Sequence, residues 1–184
     1  PRRPPMAESL PASVWAYRGL YAALAFALLF LRMLPLGSVA GAWPGPDLLV
    51  CLTFAWVLRR PDYAPVLLVA AVMLLEDLLL MRPPGLWTAI IVLAAEFLRQ
   101  RGALARGISF AVEWLIVAAV MAASLMAFRL VLMLTLLPQA SLGQAIIQLI
   151  ASILCYPLVV GASRLAFGVR KPATGEIDAY GRRL

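Results

Sequence analysis

Residues 108–137 run for thirty positions with only two charges, Glu113 and Arg129. As a helix rising ~1.5 Å per residue this stretch exceeds what is needed to cross a ~30 Å hydrocarbon core. It must therefore tilt strongly or break. The rest of the chain agrees with a membrane setting. Of its 184 residues 64% are hydrophobic and 14% charged, with a mean hydropathy of +0.92. These values exclude an ordinary soluble domain and indicate one compact polytopic bundle.

Five further apolar runs cover residues 17–36, 47–58, 63–81, 85–98 and 143–167. The expected fold class is all-α, a polytopic bundle of six transmembrane helices over residues 17–168. A disordered cytoplasmic lead (1–16) and a basic cytoplasmic tail (169–184) flank it. The first run is long and lacks a small-residue cleavage pattern, so it is expected to be retained as an anchor. The runs at 47–58 and 85–98 are too short to cross alone. They must draw in flanking residues, thin the bilayer or lie within protein.

The net charge is +7, and 15 of the 16 cations are Arg. They are scattered in short loops, which argues for topology signals and against a nucleic-acid partner. Thirteen fall on one side of a six-span arrangement: Arg2, Arg3, Arg18, Arg59, Arg60, Arg99, Arg101, Arg106, Arg164, Arg170, Lys171, Arg182 and Arg183. The opposite loops hold one, Arg82. Both termini are thus expected in the cytoplasm. Pro and Gly punctuate the opposite loops, and Asp47 after Pro46 is placed to start the second helix, where its charge suits the helix's positive end.

Charges inside the runs are the candidate functional groups, since burying them in lipid is costly. Depth along the helices puts Arg32, Glu76, Asp77, Arg82 and Arg129 in one layer. Asp77 is read as structural, in a charge network with Arg32 and Arg129. Glu76 points roughly 100° away from Asp77 on a helix and stays open between an internal partner and a docking contact. A second layer near the cytoplasm pairs Glu96 with Arg99 or Arg101, and Glu113 with Arg106 seven residues earlier on the same face.

Other residue types narrow the chemistry. The chain has no His, so the commonest proton shuttle and metal ligand are both missing. No glycine-rich nucleotide loop or Cys/His cluster is present, and no Ser-His or Ser-Lys protease arrangement is available in the membrane. A non-enzymatic protein without a cofactor is expected. Cys51 and Cys155 fall in apolar runs and read as core residues rather than a disulfide. Ala119, Ala123 and Ala127 recur every four residues, as do Ala23 and Ala27, a spacing that lets membrane helices approach closely. Pro157 should kink the last helix and free a backbone carbonyl.

Several short motifs carry a family resemblance. Pro46-Asp47-Leu48-Leu49, then Trp56-Val57-Leu58-Arg59-Arg60-Pro61, resemble the P-D-L-L…W-x-L-R-R-P signature of the MreD family of rod shape-determining membrane proteins. Leu74-Leu75-Glu76-Asp77-Leu78-Leu79 is similar to that family's G-L-x-x-D-L-L segment, with Asp77 on its acid. Pro84-Gly85-Leu86 resembles the turn that follows, and Cys155-Tyr156-Pro157-Leu158 the Y-P-L stretch of the last helix. The resemblance covers about residues 44–170. Two departures touch packing beside Asp77: Met73 or Leu74 stands where Gly is usual, and Met81-Arg82-Pro83 replaces a small turn.

The resemblance implies a scaffold of the cell-elongation machinery in the bacterial inner membrane, helping to maintain rod shape and lateral peptidoglycan synthesis. Its partner would be an MreC-like single-pass protein, linked to the MreB filament and the RodA–transpeptidase synthase. It also implies a fold similar to the S component of energy-coupling-factor transporters. A vitamin-type binding S component is the alternative function. For a scaffold, partner contacts are expected on the periplasmic half, at Asp47, Glu76, Arg82 and Trp87. Headgroup anchoring is the other expected role for Trp87.

Overall fold

The computed structural model describes residues 12–34, 44–105 and 109–167. The sequence-based expectations for residues 1–11, for the tail from 168 and for Arg106 lie outside them. The described residues form six α-helices: α1 (Ala12–Met33), α2 (Leu48–Arg59), α3 (Val66–Leu79), α4 (Leu86–Ala105), α5 (Phe110–Leu134) and α6 (Leu142–Phe167). Each falls on one of the six apolar runs. Helix α1 begins at Ala12, so the last residues expected in the lead are helical.

The short second run is explained by its place in the bundle. Helix α2 packs against α1, α4 and α6, and eleven of its twelve residues are buried. Helices α3 and α5 complete a ring through the α1–α3, α3–α4, α4–α5 and α5–α6 contacts. A helix enclosed in this way needs no lipid-crossing length, because protein rather than hydrocarbon surrounds it. The fourth run reaches twenty residues as α4 by extending through Arg99 and Arg101 to Ala105.

Trp56 sits at the middle of this core. Its ring lies 5.7 Å from Tyr21, 6.3 Å from Tyr63 and 6.5 Å from Phe167, and its indole N–H donates to Ser163 Oγ at 3.2 Å. The hydroxyls of Tyr21 and Thr53 are 2.8 Å apart, joining α1 to α2. A buried Trp or Tyr needs such a partner for its polar atom. Both cysteines are free, with Cys51 buried and donating to the Ser152 carbonyl at 3.3 Å.

Successive helices alternate in direction. One end gathers Arg18, Arg59, Arg99 and the turn at 60–65: Arg18 Nε donates to the Asp62 carbonyl at 2.9 Å, and Arg99 Nη2 to that of Ala64 at 2.8 Å. The other end gathers Arg32, Asp47, Glu76, Arg82 and Arg129. The first, where Arg60, Arg101 and Arg164 also lie, is called the cation-rich end and the second the opposite end.

Helices α3 and α5 stop in the same way at the opposite end. Past α3, Arg82 N donates to the Asp77 carbonyl (3.0 Å) and Met81 N to that of Leu78 (3.4 Å). Past α5, Leu137 N donates to Leu132 O (3.0 Å) and Leu136 N to Met133 O (3.2 Å). Both are Schellman endings, which place one residue in the left-handed region. That residue is ordinarily Gly; here it is Met81 (φ 53) and Leu136 (φ 54). The long fifth run therefore breaks at Thr135–Leu136, leaving a helix of 25 residues.

In α6, Pro157 leaves the Ile153 carbonyl without its usual donor four residues on. Trp114 of α5 supplies one, its indole N–H lying 2.8 Å from that oxygen. The carbonyl freed by the proline thus becomes a link between helices.

Large apolar side chains cover the outside, among them Phe30, Leu67, Leu93, Leu115 and Leu158, while α2 contributes none to this surface. Three helices (α1 from Ser13, α5 and α6) are long and apolar enough to cross a membrane. So many exposed large apolar side chains, together with these helices, mark a membrane protein.

Candidate functional site

Two clusters of buried charge and two spaces between helices are the candidates. The first cluster lies towards the cation-rich end. Arg59, the last residue of α2, places Nη2 2.8 Å from Glu113 Oε1 on α5. Tyr156 of α6 donates to the same oxygen at 3.0 Å, and Arg59 Nη1 donates to the Tyr156 hydroxyl at 3.3 Å. Arg59 Nη1 also reaches the Ala55 carbonyl, 3.2 Å away. Side-chain exposure is 6% for Arg59 and 2% for Glu113, so this is a closed clasp of three helices.

The partner that sequence spacing gives Glu113, Arg106, lies outside the described residues; within them Glu113 pairs with Arg59. On the sequence Arg59 reads as a topology signal alone. The signal was present, since both residues lie at the same end of their helices, but depth does not reveal which helices are neighbours. Glu96 and Arg99 do pair along α4, at 2.9 Å.

The second cluster lies at the opposite end. Glu76 Oε1 is 2.5 Å from Arg32 Nη1 and 3.7 Å from Arg82 Nη1. Arg32 Nη1 also lies 3.3 Å from Asp47 Oδ2. Asp47 is the N-cap of α2 as expected, with Oδ1 accepting from Val50 N at 3.3 Å, and its own backbone N–H donates to Ser152 Oγ at 2.7 Å. The acid is fully buried, whereas Arg32 and Arg82 stay 27% and 22% exposed. Cations reach inward from the rim to a covered carboxylate.

Among the described residues, the expected network of Arg32, Asp77 and Arg129 does not form. Asp77 Oδ2 accepts from the backbone N–H groups of Gly85 and Thr88, both at 3.1 Å, and from Thr88 Oγ1 at 2.9 Å. It therefore caps the start of α4. The Pro83-Pro84-Gly85 turn folds the chain back, so the nearest positive potential for Asp77 is the head of the next helix rather than a guanidinium. Arg129 instead donates to the Ala140 carbonyl at 3.0 Å, bracing the α5–α6 turn.

The expected docking residues are mostly enclosed. Glu76 and Asp47 are buried, and Trp87 is 9% exposed. The Trp87 ring packs edge-on against Phe128 at 5.3 Å and lies 5.4 Å from the Arg82 guanidinium. Trp87 is thus a core residue, not a headgroup anchor. Of the four, Arg82 alone keeps substantial exposure, next to the outward-pointing Met81.

The first space is a cavity of about 340 Å³ at the opposite end, between α2, α4, α5 and α6. The second is a shallow apolar groove of about 520 Å³ between α4 and α5 on the outside of the bundle. Ala119, Ala123 and Ala127 line it, together with Leu93, Ala94 and Phe97 of α4. The four-residue alanine repeat therefore opens a channel in the outer surface instead of sealing two helices of the bundle. Compared with family models, with curated proteins and with solved structures, the chain matches none.

Proposed function

We propose that the chain is a non-enzymatic membrane scaffold, of the kind its MreD-like motifs imply, which holds a single-pass partner helix in the bacterial inner membrane. The observation that carries this reading is the α4–α5 groove. Lipid tails are as apolar as leucine, so helices associate in a bilayer through close packing and polar contacts. A channel lined by Ala119, Ala123 and Ala127 lets a partner backbone come close where larger side chains would hold it off. The buried charges support the reading, since their bonds run to neighbouring helices and helix ends. In this reading the partner is an MreC-like protein, and through it the MreB filament and the RodA–transpeptidase synthase. The contact surface moves from Asp47, Glu76 and Trp87, which are enclosed, to the groove and the Arg82 turn.

The same reading takes six crossings with both termini inside, from the loop cation asymmetry. Helices α2 and α3 then cross as parts of a protein-filled core. Reporter fusions at Gln139 should read periplasmic and those at Asp62 cytoplasmic; a cytoplasmic signal at Gln139 overturns this topology.

The test of function is recovery of partners from native membranes through an affinity tag. The scaffold reading expects a single-pass coiled-coil protein with the wild type and its loss with Ala123→Trp, at unchanged yield of the folded chain. One observation favours a small-molecule carrier of S-component type: the cavity reaches the 300–1,000 Å³ typical of ligand pockets. Recovery of an ATPase module in place of the coiled-coil protein decides for the carrier.

A further inference from the structure

We infer that the 340 Å³ cavity at the opposite end is a binding site for an anionic amphiphile, its oxyanion held by Arg129, Arg82 and Trp87 and its hydrocarbon by the apolar wall. The inference rests on the cavity itself and not on the scaffold reading.

The polar part of the lining has more donors than acceptors. The Arg129 guanidinium is bonded to the Ala140 carbonyl, and among the described residues no carboxylate lies within ion-pair distance of it. Arg82 Nη1 stands 3.7 Å from Glu76 Oε1, beyond hydrogen-bond reach, and Arg32 already holds that oxygen at 2.5 Å. Trp87 buries an indole N–H that has no acceptor. A buried donor left without a partner costs about 1–3 kcal/mol, so an acceptor bound here relieves a standing penalty.

Among the wall's acceptors Asp47 and the two serines are engaged within the protein, and the side-chain amides of Gln139, Gln144 and Gln148 carry N–H donors as well as an acceptor oxygen. Asp47 binds Val50 N and Arg32 with its two oxygens. The Ser124 and Ser152 hydroxyls donate to the carbonyls of Val120 and Gln148, both one turn back. An incoming group therefore meets donors, two of them charged, and an oxyanion such as phosphate or carboxylate fits that set. The remaining wall is apolar, built largely from Ile91, Met121, Leu125, Phe128, Leu132 and Leu149. A bare ion would leave this surface unfilled, whereas an attached chain would cover it.

The same chemistry describes an acidic lipid headgroup with its chain and a free phosphate, and the probes separate them. The full chain, purified in neutral detergent, is titrated with dodecyl phosphate, dodecylphosphocholine and inorganic phosphate, with the unfolding temperature as readout. The expected result is a saturable rise with dodecyl phosphate alone. Arg129→Gln should weaken its apparent affinity by about tenfold or more, as loss of a charged hydrogen-bonding partner does. Ala145→Phe, which fills the cavity from α6 without touching a charge, should abolish the rise. A full effect from inorganic phosphate overturns the amphiphile. An equal rise in wild type and Ala145→Phe, or no rise at all in wild type, overturns the site.

Discussion

The two charge clusters hold comparable groups in different ways. In the Arg59–Glu113–Tyr156 cluster both cation and acid are shut away, and three helices meet on one carboxylate oxygen. In the Arg32–Glu76–Arg82 cluster the acid is covered while the cations lean in from a rim that remains about a quarter exposed. Desolvation is the largest cost of an ion pair in a protein interior, and its counterpart is the damage done when one partner is removed. The closed cluster should therefore behave as a rigid clasp. The open one, beside the cavity, can exchange a bond with little loss.

The largest effect is expected at the closed cluster. Glu113→Ala strands Arg59 under α5, and breaking such a pair costs about 3–5 kcal/mol. The yield of folded chain and the midpoint of unfolding by titrated SDS should both fall sharply. An unchanged midpoint would mean that the clasp does not hold α2. Glu76→Ala comes next. Its cations can turn to water or lipid headgroups, so the loss should be about half as large, roughly 1.5–2.5 kcal/mol. A loss equal to that of Glu113→Ala would erase the distinction between the clusters.

Asp77 shows how much of this was legible beforehand. Depth counting on the sequence brought Arg32, Glu76 and Arg82 to one level, and the structure joins them. Depth says nothing of azimuth: Asp77, one residue from Glu76, meets the start of α4 rather than the cations at its own level. The Pro83-Pro84-Gly85 turn already pointed to a chain reversal that brings a helix start over Asp77. Helix existence was legible throughout, because each apolar run became a helix. Enclosure was not: the twelve residues of α2 read as a span that is too short, and only its neighbours show why shortness is harmless.

As an N-cap-like acceptor, Asp77 should be worth about 1 kcal/mol. Asp77→Ala should lower the SDS midpoint slightly and speed amide exchange over residues 86–89, while Asp77→Asn, which keeps an acceptor oxygen, should retain most of the protection. Equal exchange in both variants would show that charge, rather than the cap, is what matters.

The smallest effect has the opposite sign. Met81 occupies a left-handed position that costs a non-glycine residue about 1–2 kcal/mol. Its side chain is 93% exposed and has little packing to lose. Gly recovers that cost less about 0.5–1 kcal/mol of extra chain entropy, so Met81→Gly should stabilise by about 0.5–1 kcal/mol in the same titration. A destabilised variant would show that Met81 holds a contact in the native membrane assembly.

The central claim is that the buried charges join helices to one another, and a double-mutant cycle on Arg59 and Glu113 tests it most directly. Arg59→Met and Glu113→Leu each leave one charge stranded, whereas the double variant leaves none. Unfolding midpoints of the four proteins, converted to free energies, should show the double variant less destabilised than either single one. Single losses that add to within about 0.5 kcal/mol would mean that the two residues act independently, and would contradict the clasp.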